Sequence, residues 1–287
     1  MSGRLKYRTE RSRTFADPPH PMSSTGSRRE DTVNRLTRKL ERYVRLGAEE
    51  RVLLDQVTRS VDRIGARCDI VCEGNNSDHV HVIVEGMACR YKITSEGRRQ
   101  VVAFLLPGDF CDLRLGLLSE MDHSVATLSE CRVARIPREQ IERMAARPLL
   151  ARALWSAALA DEAVLFEWLV NLGARDARSN LAHLFCELLI RLRAAGLTSG
   201  DSYKLPLTQQ DLADTAGLSS VHVNRVLQSL RSDGLISFDG KSLSILDAER
   251  LSELSGFDAS YLQLGRHEPP ARNLDAQSLA DRLTAAE

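Results

Sequence analysis

The sequence predicts an α+β fold with three parts: an N-terminal β-roll, a long helix, and a C-terminal helix-turn-helix with a β-hairpin after it. Three observations support this fold class. Short alternating apolar segments separated by turn residues fill residues 64–137, a pattern typical of a compact antiparallel roll. Helical periodicity then continues from residue 138 almost to 195. Finally, two amphipathic helical patterns meet at Gly217 and precede two short strand patterns.

Both ends of the chain are predicted to lie outside the fold. Residues 1–29 are basic and interrupted by proline and serine, which favours a disordered tail over a DNA-holding arm. The cations of this tail are Arg4, Lys6, Arg8, Arg11, Arg13, Arg28 and Arg29. Residues 265–287 are polar and alanine-rich, which predicts a second flexible tail.

Composition limits the class of protein. The 287 residues carry a formal net charge of zero, which neither indicates nor excludes nucleic-acid binding, because a local patch decides that property. The chain has no apolar run long enough for a membrane span and no signal-peptide core, so we expect no membrane partner and a cytoplasmic location. The cysteines are scattered, which predicts reduced thiols and no disulfide framework; they are Cys68, Cys72, Cys89, Cys111, Cys131 and Cys186.

Residues 30–148 are predicted to form the roll, after two short helices. The C-x₃-C spacing of Cys68 and Cys72 is a weak metal signal, and we interpret both as core cysteines. His79 and His81 lie on one face of a strand and could ligate haem or a metal, but a surface or partly buried pair is the favoured interpretation. Nothing in the sequence lowers the pKa of Cys111. We therefore predict no metal site, and no motif identifies a cofactor.

Residues 149–175 are predicted to form a dimerisation helix. Apolar positions step by four and three, which is typical of a helix that packs against a twin; the seam is Leu154, Ala158, Asp161, Leu165, Trp168 and Leu172. The alternative is a helix that lies on its own roll. Gly173 and Asp176 predict the end of this helix and the N-cap of the next.

Residues 176–264 are predicted to form the helix-turn-helix domain. Its first helix buries five apolar side chains, and the segment LTSGDSYKLPL is predicted to be a loop; the five are Leu181, Leu184, Phe185, Leu188 and Leu192. Thr208 and Asp211 form a near capping box, Gly217 permits the turn, and Ser219 caps the second helix. A hairpin turning on Asp239-Gly240 follows.

The second helix of this pair has two faces. Val223, Val226, Leu227 and Leu230 are spaced for burial. The opposite face is polar and could read a major groove, with Arg225 on guanine, Asn224 on adenine and Val221 on a thymine methyl group. The full candidate DNA-binding set is Gln209, Ser219, Ser220, Val221, His222, Asn224, Arg225 and Lys241, in which Gln209 and Lys241 are predicted phosphate contacts. The alternative is an ordinary solvated face.

The motifs resemble the Crp/Fnr superfamily of transcription regulators. The stretch LPLTQQDLADTAGLSSVHVNRVLQSLRSDGLISFDGKSLSI is similar to the family's winged helix-turn-helix, and RRQVVAFLLPGDF resembles the end of its cyclic-nucleotide-type roll. The resemblance implies a homodimer that binds double-stranded DNA at a palindromic site and acts on promoters by contacting or blocking RNA polymerase.

The sequence departs from the family at two places. Val221 stands where many members carry a glutamate that accepts from cytosine. In the effector pocket, Asp112-Leu113 replaces a Gly-Glu pair and His123-Ser124 replaces Arg-Ser. A histidine is a poor substitute for an arginine on a cyclic phosphate, so we predict that the pocket has diverged and does not bind cAMP tightly. Residues 1–67 contain no cysteine, which disfavours an iron–sulfur sensor.

Two other function classes were weighed. A cyclic-nucleotide-type sensor module that acts through a protein partner without specific DNA binding is the alternative, but the reading face and the hairpin argue against it. An enzyme is the third class. The sequence contains no P-loop, GxSxG, HExxH or paired-carboxylate motif, so we predict that the protein is not an enzyme.

Overall fold

The structure is a computed structural model that describes residues 34–113 and 120–264. The tails predicted at 1–29 and 265–287 lie outside these residues. The described residues belong to one compact unit. None of the helices among them is both long and apolar enough to cross a membrane.

Two short helices precede the roll. Helix α1 spans Arg35–Leu40 and helix α2 spans Ala48–Val57. Asn34 caps α1, because its side-chain oxygen accepts a hydrogen bond from the backbone amide of Leu36. A helix of this length is not stable by itself, so the complete burial of Leu36 and its neighbours against the roll keeps it folded.

The roll consists of two antiparallel sheets, with strand orders β1-β7-β3 and β2-β6-β4-β5. Its strands are β1 (Val61–Ile64), β2 (Asp69–Val71), β3 (His79–Glu85), β4 (Ala88–Ile93), β5 (Arg99–Leu105), β6 (Ser124–Thr127) and β7 (Cys131–Pro137). The β3–β4 turn needs a glycine, because Gly86 has a φ of +90° and a Cβ there would lie 2.4 Å from the carbonyl oxygen of Glu130. This close approach joins the two sheets.

Three helices follow the roll: α3 (Arg138–Ala145), α4 (Pro148–Gly173) and α5 (Ala177–Ala194). The predicted helix end at Gly173 and the predicted N-cap at Asp176 are both confirmed. Helix α5 folds back along α4, since the indole N–H of Trp168 donates to Glu187 at 3.0 Å. All five apolar side chains predicted to be buried in α5 are buried.

The C-terminal part is a winged helix-turn-helix. Its elements are β8 (Thr198–Ser199), β9 (Ser202–Lys204), α6 (Gln209–Ala216), α7 (Ser220–Ser232), β10 (Ile236–Asp239), β11 (Ser242–Ile245), α8 (Ala248–Ser255) and a 3-10 turn (Ala259–Leu262). The loop predicted for LTSGDSYKLPL is wrong in part, because it contains β8 and β9. These strands form where β9 pairs with β11 and the Tyr203 hydroxyl donates to the carbonyl of Phe185.

The roll and the winged part share a hydrophobic core. One cluster combines Phe104 of β5 and Trp168 of α4 with the inner faces of α5 and α7. The rings of Phe104 and Trp168 meet edge to face, 5.5 Å between centroids. The domain boundaries predicted at 148 and 175 stay predictions, although helices end close to both positions.

Candidate nucleic-acid interface

Helix α6 begins with the predicted capping box. The Thr208 hydroxyl accepts from the backbone amide of Asp211, and the Asp211 carboxylate accepts from the backbone amide of Thr208 at 2.8 Å. Burial alone would raise the pKa of Asp211, but the hydrogen bonds from Thr208 and Arg67 outweigh it and lower that pKa below its usual 3.8. The first helix of the pair therefore begins at a buried, ionised carboxylate.

The turn between the two helices is also local in origin. Gly217 ends α6 in the left-handed conformation, with a φ of +67°, which few other residues adopt without strain. Two residues later the Ser219 hydroxyl accepts from the backbone amide of His222 at 3.2 Å and so caps α7. Both capping predictions are confirmed.

Helix α7 presents one apolar face and one polar face, as its periodicity predicts. The four apolar side chains spaced for burial are buried in the shared core: Val223, Val226, Leu227 and Leu230. On the opposite face the Val221 side chain is 70% exposed, and Arg225 is exposed as well. Helix α7 contains two arginines and no carboxylate, so its outer face suits an anionic polymer.

The candidate reading residues meet in one shallow concavity, which we call the reading surface. It is lined by Gln209, Ser220, Val221, Asn224, Arg225 and Gln228. Thus Gln209, at the start of α6, lies beside the polar face of α7. Within residues 34–113 and 120–264, the side chains of Gln209, Asn224 and Arg225 form no hydrogen bond or ion pair with the protein, so they remain available to a ligand.

Three predicted contacts lie outside the reading surface. The Ser219 hydroxyl is engaged in capping, and His222 is exposed beside it. Lys241 is exposed in the turn of the β10–β11 hairpin. That turn consists of Gly240 and Lys241, because Asp239 pairs with Ser242 and is still part of the strand. The turn predicted at Asp239-Gly240 is therefore shifted by one residue, and Lys241 occupies its tip.

Two arginines of the roll hold α6 in place, which the sequence analysis did not predict. Arg67 donates to both carboxylate oxygens of Asp211, at 2.7 and 2.8 Å. Arg99 lies 3.3 Å from Asp211 and 3.3 Å from Asp214. These partners are more than 100 residues apart in the chain, so no local pattern could have identified them.

Three of the four predicted effector residues have contacts to other residues of the roll. The Asp112 carboxylate is completely buried and accepts from the backbone amide of His81 at 2.7 Å, while its second oxygen lies 2.8 Å from the His81 ring. The Ser124 hydroxyl accepts from the backbone amide of Glu73. His123 lies 2.6 Å from the carboxylate of its neighbour Asp122, and Leu113 is half-buried.

The cysteines and histidines of the roll were predicted with mixed success. Cys68 and Cys72 are exposed, so their interpretation as core residues is wrong. His79 is half-buried and His81 is buried, in keeping with a structural pair. Burial and the adjacent Asp112 raise the pKa of Cys111, so this thiol stays protonated and is a poor redox nucleophile.

The predicted seam of α4 needs a correction. Leu154 and Trp168 are buried inside the protomer, Asp161 pairs with Lys39 and Arg90, and Leu165 is half-buried. Ala158 and Leu172 are exposed. The large apolar side chains that α4 leaves exposed include Leu149, Leu172 and a stripe along one helix face, which we call the outer stripe: Trp155, Leu159, Phe166, Leu169 and Val170. The roll and α5 cover the predicted side of the helix, which the sequence pattern alone does not reveal.

Comparison with known proteins agrees with this architecture. Residues 179–254 match the Crp-like helix-turn-helix domain, and residues 63–147 match the cyclic nucleotide-binding domain. The chain is 30% identical over 220 residues to the transcriptional activator protein FnrL of Cereibacter sphaeroides, covering 75% of this chain and 88% of that protein. It is 32% identical over 162 residues to the nitrogen fixation regulation protein FixK of Azorhizobium caulinodans, covering 56% of this chain and 64% of that protein.

A solved structure gives the same result. The structure of FixK2 from Bradyrhizobium japonicum superposes with a TM-score of 0.63 at 25% identity, covering 68% of this chain and 96% of that one. The similar proteins named above are transcription regulators and not enzymes. A sensor module that does not bind DNA is therefore the weaker interpretation of this chain.

Proposed function

This chain belongs to the Crp/Fnr family of DNA-binding transcription regulators, and on that basis we propose that two copies of it read a palindromic DNA site with α7. The observation that carries this proposal is the reading surface. Its side chains are exposed or half-buried, unpaired among the described residues, and come from the start of α6 and the polar face of α7. A helix of this kind fits the major groove, where a guanidinium can donate two hydrogen bonds to guanine.

Each predicted DNA contact has a proposed role. Arg225 reads guanine, Asn224 reads adenine and Val221 packs on a thymine methyl group. Gln209 and Lys241 contact phosphates on either side, where they contribute affinity without sequence preference. Ser219, Ser220 and His222, near the start of α7, lie where phosphates or base edges come close.

A selection experiment tests these roles. The preferred site is first selected from random duplexes with the wild-type protein, and binding is then measured at one fixed salt concentration. Arg225→Ala should lose discrimination at one base pair by about 1–3 kcal/mol. Arg231→Ala is the matched control, because Arg231 is on the same helix but outside the reading surface. Equal loss in both variants would overturn the assignment.

The proposed phosphate contacts have a different signature. Replacing Lys241 by alanine should weaken binding to every duplex by a similar factor. It should also reduce the slope of log affinity against log salt concentration by about one. A change confined to one base pair would assign Lys241 to base reading.

The dimer is proposed from the outer stripe of α4. Five large apolar side chains on one helix face are costly to leave in water, and a twin helix would cover them. In such a dimer the two α7 helices would be about 34 Å apart, in successive major grooves. Contact with RNA polymerase completes the proposal, supported by the name of FnrL as a transcriptional activator.

We also propose that the protein does not respond to cAMP. Leu113 stands at the position of the family's glutamate and has no carboxylate, while the adjacent Asp112 is completely buried and paired with His81, so neither residue can hold a ribose hydroxyl as that glutamate does. A calorimetric titration with cAMP should give no binding heat, and a saturable signal would contradict the proposal.

A further inference from the structure

A small cavity lies where α1, the β4–β5 strands, α4 and α5 meet, and we call it the junction cavity. Its volume is about 40 Å³, which leaves room for roughly three water molecules or one small anion. The polar and charged residues around it are Lys39, Arg42, Tyr43, Arg90, Asp109, Asp161 and Arg191. It lies apart from the diverged effector residues Asp112 and His123, neither of which lines it.

The charges at the junction cavity do not balance. Lys39 pairs with Asp109 at 2.6 Å, Arg90 pairs with Asp161 at 3.2 Å, and these two carboxylates are the only acidic groups among the described residues that line it. Arg191 forms an ion pair with Glu187 at 2.9 Å and a second ion pair with Asp109 at 3.0 Å.

Arg42 is the cation left over. Its side chain is half-buried, lines the cavity, and forms no hydrogen bond or ion pair with any residue that the structure describes. The hydroxyl of Tyr43 beside it likewise has no hydrogen-bond partner among residues 34–113 and 120–264. Burial lowers the pKa of Arg42 against the attraction of Asp109, and burial raises the pKa of Tyr43, so a cation without a direct ion-pair partner and a neutral hydroxyl donor face the same space.

The half-buried guanidinium of Arg42 is partly desolvated and has no direct ion pair among the described residues, so an oxyanion beside it would offset part of the desolvation cost. The planar fork of arginine matches two oxygens of a phosphate or carboxylate, and a phenol can donate to a third. We propose that the junction cavity binds a small oxyanion, either free phosphate or the phosphoryl or carboxylate group of a small metabolite, with Arg42 and Tyr43 as its donors.

The position of the cavity gives this ligand a regulatory role, which rests on the proposed function. Arg42 follows α1, whereas Arg191 is on α5, the helix that leads into the helix-turn-helix. An oxyanion bound between the roll, α4 and α5 stabilises the arrangement in which these elements are packed together, and so biases the presentation of α7 to DNA.

Calorimetric titration of the full-length protein with inorganic phosphate tests the site directly. Ionic strength is held constant with chloride. The wild type should bind saturably, and Arg42→Met should bind roughly tenfold more weakly or worse, because a charged hydrogen-bonded pair is lost. Arg45→Met is the matched control, since Arg45 is three residues away, exposed and unpaired among the described residues, and it should bind like the wild type.

A second, milder variant tests the site even if Arg42→Met does not fold. Tyr43→Phe removes only the hydroxyl and should weaken phosphate binding by a few-fold while retaining the charge. The proposal is overturned by the absence of phosphate, acetate or glucose 6-phosphate binding to the wild type, or by equal binding to wild type and Arg42→Met. Tightest binding of glucose 6-phosphate identifies a metabolite phosphoryl group, and tightest binding of phosphate identifies the free ion; both support the site.

Titration with DNA separates this proposal from the proposed function. Phosphate should change the affinity of the wild type and of Arg45→Met for the selected duplex by the same factor, and Arg42→Met should lose that change. Phosphate binding without any DNA binding would overturn the proposed function and leave the oxyanion site intact. Phosphate binding that leaves DNA affinity unchanged would overturn the regulatory role.

Discussion

At the scale of single residues, the proposed base preference depends on what α7 presents at Val221 and Arg225. The guanidinium can recognise guanine, whereas the valine has no hydrogen-bonding atom and can offer only an apolar contact. The neighbouring base pair is therefore read by shape and methyl contact in the proposed complex.

A single substitution checks that interpretation. Val221→Glu should shift the preference at one base pair towards cytosine by about 1–3 kcal/mol, because the new carboxylate accepts from the cytosine amino group. Binding to a set of duplexes that differ at one position measures the shift. Val52→Glu is the control, since Val52 is also an exposed valine but lies on α2. If both variants weaken binding without changing preference, the position does not read a base.

At the scale of elements, one carboxylate of α6 both caps that helix and ties it to the roll. Asp211 completes the capping box of its own helix and receives Arg67 and Arg99 from the roll. The helix that supports α7 is thus tied to the sensor part of the molecule. Any rearrangement that separates the roll from the winged part must break these ion pairs.

Asp211→Asn should therefore lower the free energy of unfolding by about 2–3 kcal/mol, through loss of a buried ion pair and a weaker cap. The measurement is urea unfolding at neutral pH. Asp233→Asn is the control, because the Arg178–Asp233 pair lies at the surface and should contribute less than about 1 kcal/mol.

The same pair predicts a pH dependence with a definite sign. Because folding lowers the pKa of Asp211, its stabilising contribution is present above the unfolded value near 3.8 and is lost as pH falls through the lower folded value. The stability difference between wild type and Asp211→Asn should be constant above about pH 5 and shrink below it. A difference that grows in acid would contradict the assigned pKa direction.

At the scale of the whole molecule, the proposed dimer depends on the outer stripe of α4. Phe166→Glu places a charge in the centre of that stripe and should convert a dimer into a folded monomer, measured by light scattering at micromolar concentration. Ile93→Glu, at another exposed apolar position, should leave the mass unchanged. Loss of the dimer should weaken operator binding by at least about 100-fold, because each half-site then binds alone. If the Phe166→Glu protein stays dimeric, the dimer interface does not include the outer stripe.

Local chemistry was enough to predict the helix-turn-helix and most of its candidate site. The helix caps and the turn depend on contacts between residues at most four positions apart, as at Thr208, Gly217 and Ser219. The two faces of α7 follow from the helical repeat of 3.6 residues. For the same reason the helix end at Gly173 and the cap at Asp176 could be predicted. The signals that decide these features are all within one turn of the chain.

Only the tertiary structure decided which face of α4 is covered, which partners hold Asp211, and where the charges of the junction cavity meet. A helical repeat of apolar residues shows that a face is buried, but it cannot say whether the roll, α5 or a second copy buries it. Ion pairs such as Arg67–Asp211 and Arg191–Asp109 join residues far apart in the chain, and Coulomb attraction acts on distance in space, which exists only once the chain has folded.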